Sequence, residues 1–289
     1  MGTANCRLRS TQDVQPIHRS AGGCAPIPSD VASARSSSSG CRPSSGADGS
    51  NKIVSAAHNL DLDALCMRLR RFGPLEEQPC YTYVIHTVDL AKNGELIQTA
   101  SAPNFSGDFI TLCTCKRDMR ALLTPERWHK GVWIAGMTGS GKEFGQRQSL
   151  VFLMRVGEAY PSYFDLVAAL RATGRNSTLD AKDSTHHPKG DVMIPFDSNP
   201  TPSQRFAPEF YHPPMLPHAH RRLEDDMHWH EDINHVDRWG RRPAYLIGDP
   251  ENSFTWSRQL ILNTEPGNLR PYRTWSLGQL VERLAKFPT

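Results

Sequence analysis

The chain has 289 residues, of which 38% are hydrophobic and 22% are charged, with a formal net charge of +3. This apolar fraction is enough for a packed core, while the small net charge does not by itself indicate a nucleic-acid partner. No apolar run approaches the roughly 18 residues of a membrane-spanning helix, so we expect no membrane partner. The seven cysteines are odd in number and three precede residue 50, which favours a reduced, cytoplasmic protein without a disulfide framework.

Residues 1–50 are predicted to be a disordered, serine-rich tail. Their last twenty residues contain eight serines and few apolar side chains that could offset the entropy of ordering. Residues 51–78 are predicted to form a helix and a linker, and residues 79–289 a single globular domain. The helix is expected at 60–72, where leucines recur at helical spacing, with Asn59 or Asp61 as its cap and Gly73 at its end.

Strands are predicted where β-branched and aromatic residues dominate, at 80–88, 108–114, 131–137, 148–156, 243–249 and 258–263. A helix is expected to begin at Pro161, because proline is favoured at the first helical position. A C-terminal amphipathic helix should be capped by Thr274 or Ser276. Since helices are too few between strands for regular alternation, we expect an α+β fold with a curved, mostly antiparallel sheet, flanking helices and a long His/Pro-rich loop region at 174–242.

The segment Gly136–Lys142 matches seven of the eight positions of a phosphate-binding loop. A working loop of this kind precedes a helix, whose N-terminus binds the phosphates. Here a strand-like apolar run follows instead, and Glu143 replaces the hydroxyl residue that would reach magnesium. We therefore expect a Gly/Ser hairpin between two strands and no binding of ATP or GTP through this segment.

A family pattern lies between Tyr81 and Tyr160. Its blocks are Ala102-Pro103-Asn104-Phe105, Thr111-Leu112, Cys115-Lys116, Arg120, Trp133-Ile134, Gly136, Gly139-Ser140, Met154 and Glu158. This pattern resembles the nucleotide modification associated domain of phages and bacteria, in the second of the domain types so named. The chain departs from the family at Val132, where the family has aspartate, and in the missing second proline of the first block.

The resemblance implies a role in DNA modification, or in defence around modified bases, with DNA or nucleotides as partners. Substrate-binding residues are expected at Pro103, Asn104, Phe105, Thr111, Thr114, Lys116, Arg120 and Asp191, with Gly136 and Ser140 at the rim of the cleft. Lys116 and Arg120 would hold a phosphate, and Asn104 would contact a base edge. The structural alternative is that Asn104 caps a turn and the basic pair is solvated.

Aromatic residues offer a further means of binding a base. Phe105, Trp133 and Trp256 would stack on an extruded or single-stranded base, or else belong to the core.

Histidines form the other candidate site, since eight of the twelve lie between His186 and His235. His218, His220, His228 and His230 alternate along the chain, so on extended segments each pair would point one way and could share a divalent metal, completed by Glu231 or Asp232. The alternative is a solvated, histidine-rich loop.

Two functions from different classes remain open. One is an enzyme that acts on nucleotides or DNA bases in a polar cleft that includes Asp191 and Asp249, and the resemblance slightly favours it. The other is a non-catalytic module that recognises a modified base. An assembled acid/base or metal group beside the cleft would favour the enzyme.

Overall fold

The computed structural model describes residues 57–216, 228–263 and 272–285. Within them the strands are β1 Ala57–His58, β2 Pro79–Val84, β3 Val88–Leu90, β4 Leu96–Gln98, β5 Thr111–Leu112, β6 Trp133–Met137, β7 Ser149–Tyr160, β8 Tyr245–Ile261 and β9 Arg273–Ser276. The helices are α1 Leu62–Leu69, α2 Arg117–Arg120, α3 Pro125–Trp128, α4 Tyr163–Ala172, α5 Asn176–Lys182, α6 His230–Asn234 and α7 Leu277–Ala285. The predicted disordered tail, 1–50, lies outside the described residues.

The main sheet has the strand order β1-β8-β7-β6-β2-β9, and β5 also pairs with β8. Only the pairs β1–β8 and β2–β6 are parallel, whereas the other pairings are antiparallel. A separate antiparallel hairpin joins β3 and β4. The predicted α+β class with a mostly antiparallel sheet and flanking helices is therefore confirmed.

Both faces of the sheet are buried. Successive strand residues point to opposite sides of a sheet, and here both sets belong to a core. Ile134 and Phe152 belong to one core, while their neighbours Trp133 and Leu153 belong to the other. Helices α1 and α7 cover the second core with five leucines, namely Leu65, Leu69, Leu277, Leu280 and Leu284. A third core joins α4 and α5 to the segment at 192–194.

Helix caps follow the sequence closely. Asp61 is the cap of α1, since its Oδ1 accepts from Ala64 N at 2.8 Å. Ser276 and Gln279 cap α7 reciprocally, each side chain accepting from the other's backbone N–H, at 3.1 and 3.0 Å. The predicted start of α4 at Pro161 is wrong by two residues, because Ser162 is the cap and accepts from the Asp165 N–H.

The two strands predicted at 243–249 and 258–263 are one strand, β8. Asp249 carries the chain through Pro250, because its side chain accepts from Glu251 N at 3.0 Å and its backbone oxygen accepts from Ser253 Oγ at 2.6 Å. Its carboxylate also lies 3.5 Å from Arg155. Asp249 was predicted to lie in the polar cleft. Its carboxylate is instead bonded within the strand.

Other strand boundaries also differ from the predictions. The predicted strand 108–114 is reduced to the two residues of β5, and the predicted strand 80–88 is interrupted between β2 and β3. Helix α5 and the 3₁₀ turns Gln204–Phe206 and Pro208–Phe210 lie in the region predicted to be a long loop. Local pattern therefore located β2, β5, β6, β7 and β8 but not their ends, and it missed β1, β4 and β9.

The segment that resembles a phosphate-binding loop is a hairpin, as predicted. Strands β6 and β7 are antiparallel, and their connection contains only the 3₁₀ turn Lys142–Phe144. Gly136 is required by packing, because a Cβ there would lie 2.2 Å from Phe152 Cε1 and 2.6 Å from Ile85 Cδ1.

Two further findings concern the described part of the chain. None of its helices is both long and apolar enough to cross a bilayer. Its four cysteines, Cys66, Cys80, Cys113 and Cys115, form no disulfide.

Candidate functional site

The loop before β5 is folded back onto that strand. Asn104 and Thr111 exchange two backbone hydrogen bonds, at 2.9 and 3.0 Å. The Asn104 side chain is 2% exposed, and its Oδ1 accepts from Ser106 N at 2.7 Å while its Nδ2 donates to Lys189 O at 2.8 Å. This is the turn-capping geometry of the structural alternative. A base contact by Asn104 stays a prediction, and it would have to use the second Nδ2 hydrogen or replace one of these bonds.

Behind Asn104 lies a buried polar network, which we define as Asn104, Thr111, Lys182 and Asp191. The Lys182 ammonium donates to Asn104 O at 3.3 Å and lies 3.5 Å from its Oδ1. Asp191 accepts from Thr111 Oγ1 at 2.7 Å and from Cys113 N at 3.2 Å. Since Lys182 and Asp191 are both fully buried, this network fixes the loop from inside the protein.

The two charges of the network act on each other. Burial lowers the pKa of Lys182 to about 8, and the negative charge of Asp191 acts in the opposite direction. Burial likewise raises the pKa of Asp191, against the effect of the Lys182 ammonium and the hydrogen bond from Thr111. Each charge therefore stabilises the other in an interior that disfavours both. Sequence reasoning identified Asp191 but missed Lys182, whose segment carries no motif.

Lys116 and Arg120 do not form a shared exposed face. Arg120 is fully buried, and its Nε and Nη1 donate to the backbone oxygens of Cys115 and Ala244 at 2.9 and 2.8 Å. Of the three Arg120 side-chain nitrogens, Nη2 alone has no hydrogen-bond partner among the described residues. Lys116 is half-buried, and its Nζ lies 4.9 Å from the centre of the Tyr83 ring.

The turn that leads into α2 has an unusual backbone. Cys115 and Lys116 both have positive φ, 54° and 47°, a conformation that non-glycine residues seldom adopt. The Arg120 guanidinium bonds to the carbonyl of Cys115 and so supports this turn from the interior. Arg120 therefore has a clear structural role, and its contact with a phosphate stays a prediction.

A cavity of about 170 Å³ opens beside the loop, and we call it the Phe105 cavity. It is lined by Val88, Leu96, Ile97, Gln98, Ala100, Asn104, Phe105, Ser106, Val151, Lys189, Thr255 and Trp256. Drug-sized ligands generally occupy about 300 Å³ or more. The Phe105 cavity therefore suits one ring system, such as a nucleobase, better than a larger ligand.

The walls of the Phe105 cavity are held in place. Gln98 Nε2 donates to Pro103 O at 2.5 Å, and Lys189 Nζ donates to Gln98 O at 2.8 Å. The Phe105 ring packs edge-on against Phe152 at 5.8 Å, and Trp256 Nε1 donates to Leu60 O at 2.8 Å. The cavity is thus largely formed before a ligand enters, as is usual for small-molecule sites.

The predicted single cleft is divided. The loop Pro103–Phe105 contributes to the Phe105 cavity, whereas the segment at 115–119 lines a different cavity of about 200 Å³ with His235 and Tyr272. The two cavities share no lining residue. The expectation that the loop and the segment Thr111–Arg120 enclose one cleft is therefore corrected.

Other candidate residues lie apart from the Phe105 cavity. Thr114 is buried, and its Oγ1 has no hydrogen-bond partner among the described residues. Gly136 is in the core and Ser140 is exposed in the hairpin connection. Trp133 is fully buried and stacked on Phe254, with ring centres 6.5 Å apart, which is the core alternative considered for it.

The histidine site is only partly described. His218 and His220 lie outside the described residues, whereas His228 and His230 flank Trp229 at the start of α6. Glu231 pairs with Arg117 at 2.5 Å instead of turning toward a histidine pair. No group of three or more metal-ligating side chains is assembled within the described ranges. Metal binding through His218, His220, His228 and His230 stays a prediction.

Comparison of the chain with models of known protein families, with curated proteins and with solved structures gives no significant match. The resemblance to the nucleotide modification associated domain therefore rests on the residues of the sequence blocks themselves. Of these blocks, Asn104 and Phe105 line the cavity, whereas Arg120 and Gly136 are buried in the core.

Proposed function

We propose that the protein binds a modified base, free as a nucleotide or extruded from DNA, in the Phe105 cavity and recognises it without changing it. The composition of the cavity wall carries this proposal. The aromatic ring of Phe105 is combined with amide, hydroxyl and ammonium groups, and no Asp, Glu, His or Cys occurs among the described lining residues. The sequence resemblance supports a modified base as the ligand.

Each part of the wall suits one part of such a ligand. The ring of Phe105 offers contact to a planar base, since aromatic side chains bind bases by stacking and edge contacts. Gln98 offers donors and acceptors for the polar edge of the base, and the Thr255 hydroxyl, which also lies 3.0 Å from His58 Nδ1, belongs to the same wall. Lys189 offers an ammonium group for a phosphate. Asn104, held by the buried network, keeps the loop that carries Phe105 in place.

Filling the cavity tests the proposal. In the Ala100→Trp variant, the new ring should occupy the space of the base while every wall contact named above is retained. Affinities for deoxynucleoside monophosphates with unmodified, methylated and hydroxymethylated bases would be measured by calorimetric titration. We expect the tightest ligand of the wild type to lose at least about tenfold in affinity, or about 1.4 kcal/mol.

The control is Ala172→Trp, which adds the same ring at an exposed position of α4. This variant should bind as the wild type does. Equal affinity in wild type and Ala100→Trp would contradict the assignment of the cavity, as would failure of the wild type to prefer any modified nucleotide.

A catalytic function is the second candidate, and Lys182 is the observation that favours it. A lysine whose pKa is lowered to about 8 can act as a base near neutral pH, and Lys182 bonds to a residue of the cavity wall. Mass spectrometry of the nucleotide after incubation separates the two functions. An unchanged mass is expected for recognition alone, and a changed mass that is lost in Lys182→Met would establish catalysis. For either function we propose a reducing, cytoplasmic location.

A further inference from the structure

A second cluster of basic and aromatic residues lies far from the Phe105 cavity. The stretch Arg238–Arg242 contains three arginines and a tryptophan in five residues. Trp239 is 60% exposed, with the Arg238 and Arg241 guanidinium carbons 3.9 and 4.6 Å from its ring centre. We call the set Arg127, Phe206, Arg238, Trp239, Arg241 and Arg242 the arginine–aromatic surface.

Carboxylates neutralise only part of this surface. Asp237 pairs with Arg241 at 2.8 Å and also accepts from the backbone N–H groups of Trp239 and Arg241, which fixes the turn. Arg127, Arg238 and Arg242 are exposed and form no ion pair within the part of the chain that the structure describes. Three guanidinium charges are therefore available to an anionic partner.

Three of the four arginines of this surface lie at an apolar cavity of about 420 Å³. Arg127, Arg241 and Arg242 line it together with leucine and proline side chains and the ring of Phe206. The Arg242 guanidinium lies 4.0 Å from the centre of that ring, so it is positioned by an aromatic contact and not by a carboxylate. Cationic groups thus lie beside an apolar cavity that is larger than the Phe105 cavity.

We propose that the arginine–aromatic surface binds a single-stranded nucleic acid. Phosphates would pair with Arg127, Arg238 and Arg242, because guanidinium groups bind phosphate through charge-assisted hydrogen bonds. A base would enter the cavity beside Phe206, since unstacked bases bind apolar and aromatic surfaces with little dependence on sequence. A duplex keeps its bases stacked and an acidic peptide has no base, so neither partner would place a base in the cavity.

This surface is distinct from the site of the proposed function. Val151, near the start of β7, lines the Phe105 cavity, whereas Pro161, just after β7, lines the second cavity. Ten residues of strand separate them, which corresponds to about 30 Å. Binding of a single-stranded nucleic acid at the arginine–aromatic surface therefore does not depend on a base being bound in the Phe105 cavity.

Fluorescence anisotropy with the full chain and a labelled oligothymidylate tests the proposal. The double variant Arg238→Ala/Arg242→Ala should lose at least about tenfold in affinity. Its plot of log affinity against log salt concentration should be shallower by about 1.4, since each single-strand phosphate contact contributes about 0.7 to the slope. Phe206→Ala should weaken binding with little change in the slope, because it removes an apolar contact.

The matched control is Arg68→Ala/Arg70→Ala, which removes the same charge from exposed positions of α1 and the turn after it. Thermal melts of every variant would establish that each is folded. Equal losses in the control and the test variant would overturn the proposal, as would the absence of binding by the wild type. Equally tight binding of a duplex or of polyglutamate would overturn the preference for a single strand.

Discussion

The buried polar network and the arginine–aromatic surface contain similar side chains in opposite settings. In the network, Lys182 is fully buried and its charge is compensated by Asp191, while its donors are used by Asn104. At the surface, Arg238 and Arg242 are exposed and held by aromatic rings. A buried charge with internal partners fixes the fold, whereas an exposed charge without a carboxylate is available to a ligand. Burial and partners, more than residue type, separate structural from binding residues here.

The comparison predicts its largest effect at Asp191. Asp191→Ala should lower the free energy of unfolding by about 3 kcal/mol or more, because it leaves the Lys182 ammonium buried without its main counter-charge and removes the acceptor of Thr111 and Cys113. Urea denaturation would measure the loss. Asp180→Ala, at an exposed position of α5, should change stability by less than about 0.5 kcal/mol. Equal effects of the two substitutions would contradict the structural role of the network.

The second prediction concerns pH. Burial lowers the pKa of Lys182 from its ordinary value of 10.5 to about 8, so the unfolded chain binds more protons than the folded chain between these values. Stability should therefore rise with pH across this window in the wild type relative to Lys182→Met, by at most about 1.4 kcal/mol per pH unit.

Chemical denaturation from pH 7.5 to pH 10 measures this difference in slope. Lys130→Met, at an exposed position, serves as the control and should follow the wild type. Parallel pH profiles for the wild type and Lys182→Met would show that Lys182 titrates normally.

The third prediction separates Asn104 from Lys116. Asn104→Ala should destabilise the protein by about 1–3 kcal/mol, because Ser106 N and Lys189 O lose their partners in the interior. Lys116→Ala should cost less, about 0.5–1 kcal/mol for its contact with the Tyr83 ring. Thermal unfolding ranks the two variants, and a neutral Asn104→Ala would restore Asn104 as a residue available to a ligand.

The smallest effect is expected at Lys142. This residue is exposed in a hairpin and not at the start of an α-helix, so Lys142→Ala should change stability by less than about 0.5 kcal/mol. Calorimetric titration with ATP and GTP should show no binding in either protein. Micromolar binding that disappears in Lys142→Ala would refute this interpretation of the segment.

The sequence predicted those features that local patterns determine. Asp61 and Ser276 are each one of two predicted caps, and like the β6–β7 hairpin they depend on residues close together in the chain. The continuity of β8 was missed because it depends on the bonds of Asp249, which carry the strand across Pro250 against the usual effect of proline.

The candidate site was predicted only in part, because it too depends on contacts between distant segments. Asn104 and Phe105 were identified and do line a cavity, but Thr255, which lines the same cavity, lies about 150 residues away in the sequence. Lys182 bonds to Asn104 across 78 residues, and no local pattern indicates such a contact. The burial of Arg120 is likewise a tertiary property, since it depends on Ala244. Contacts between distant segments therefore determine which of the predicted residues can meet a ligand.

The most direct test of a modified-base site at the Phe105 cavity is mass spectrometry of nucleosides from retained DNA. Fragmented DNA from cells that contain modified bases would be passed over immobilised wild-type protein and over the Ala100→Trp and Ala172→Trp variants. We predict that a modified deoxynucleoside is enriched above its level in the input by the wild type and by Ala172→Trp, and that Ala100→Trp returns it to the input level. Retained DNA of input composition on all three proteins would contradict the account.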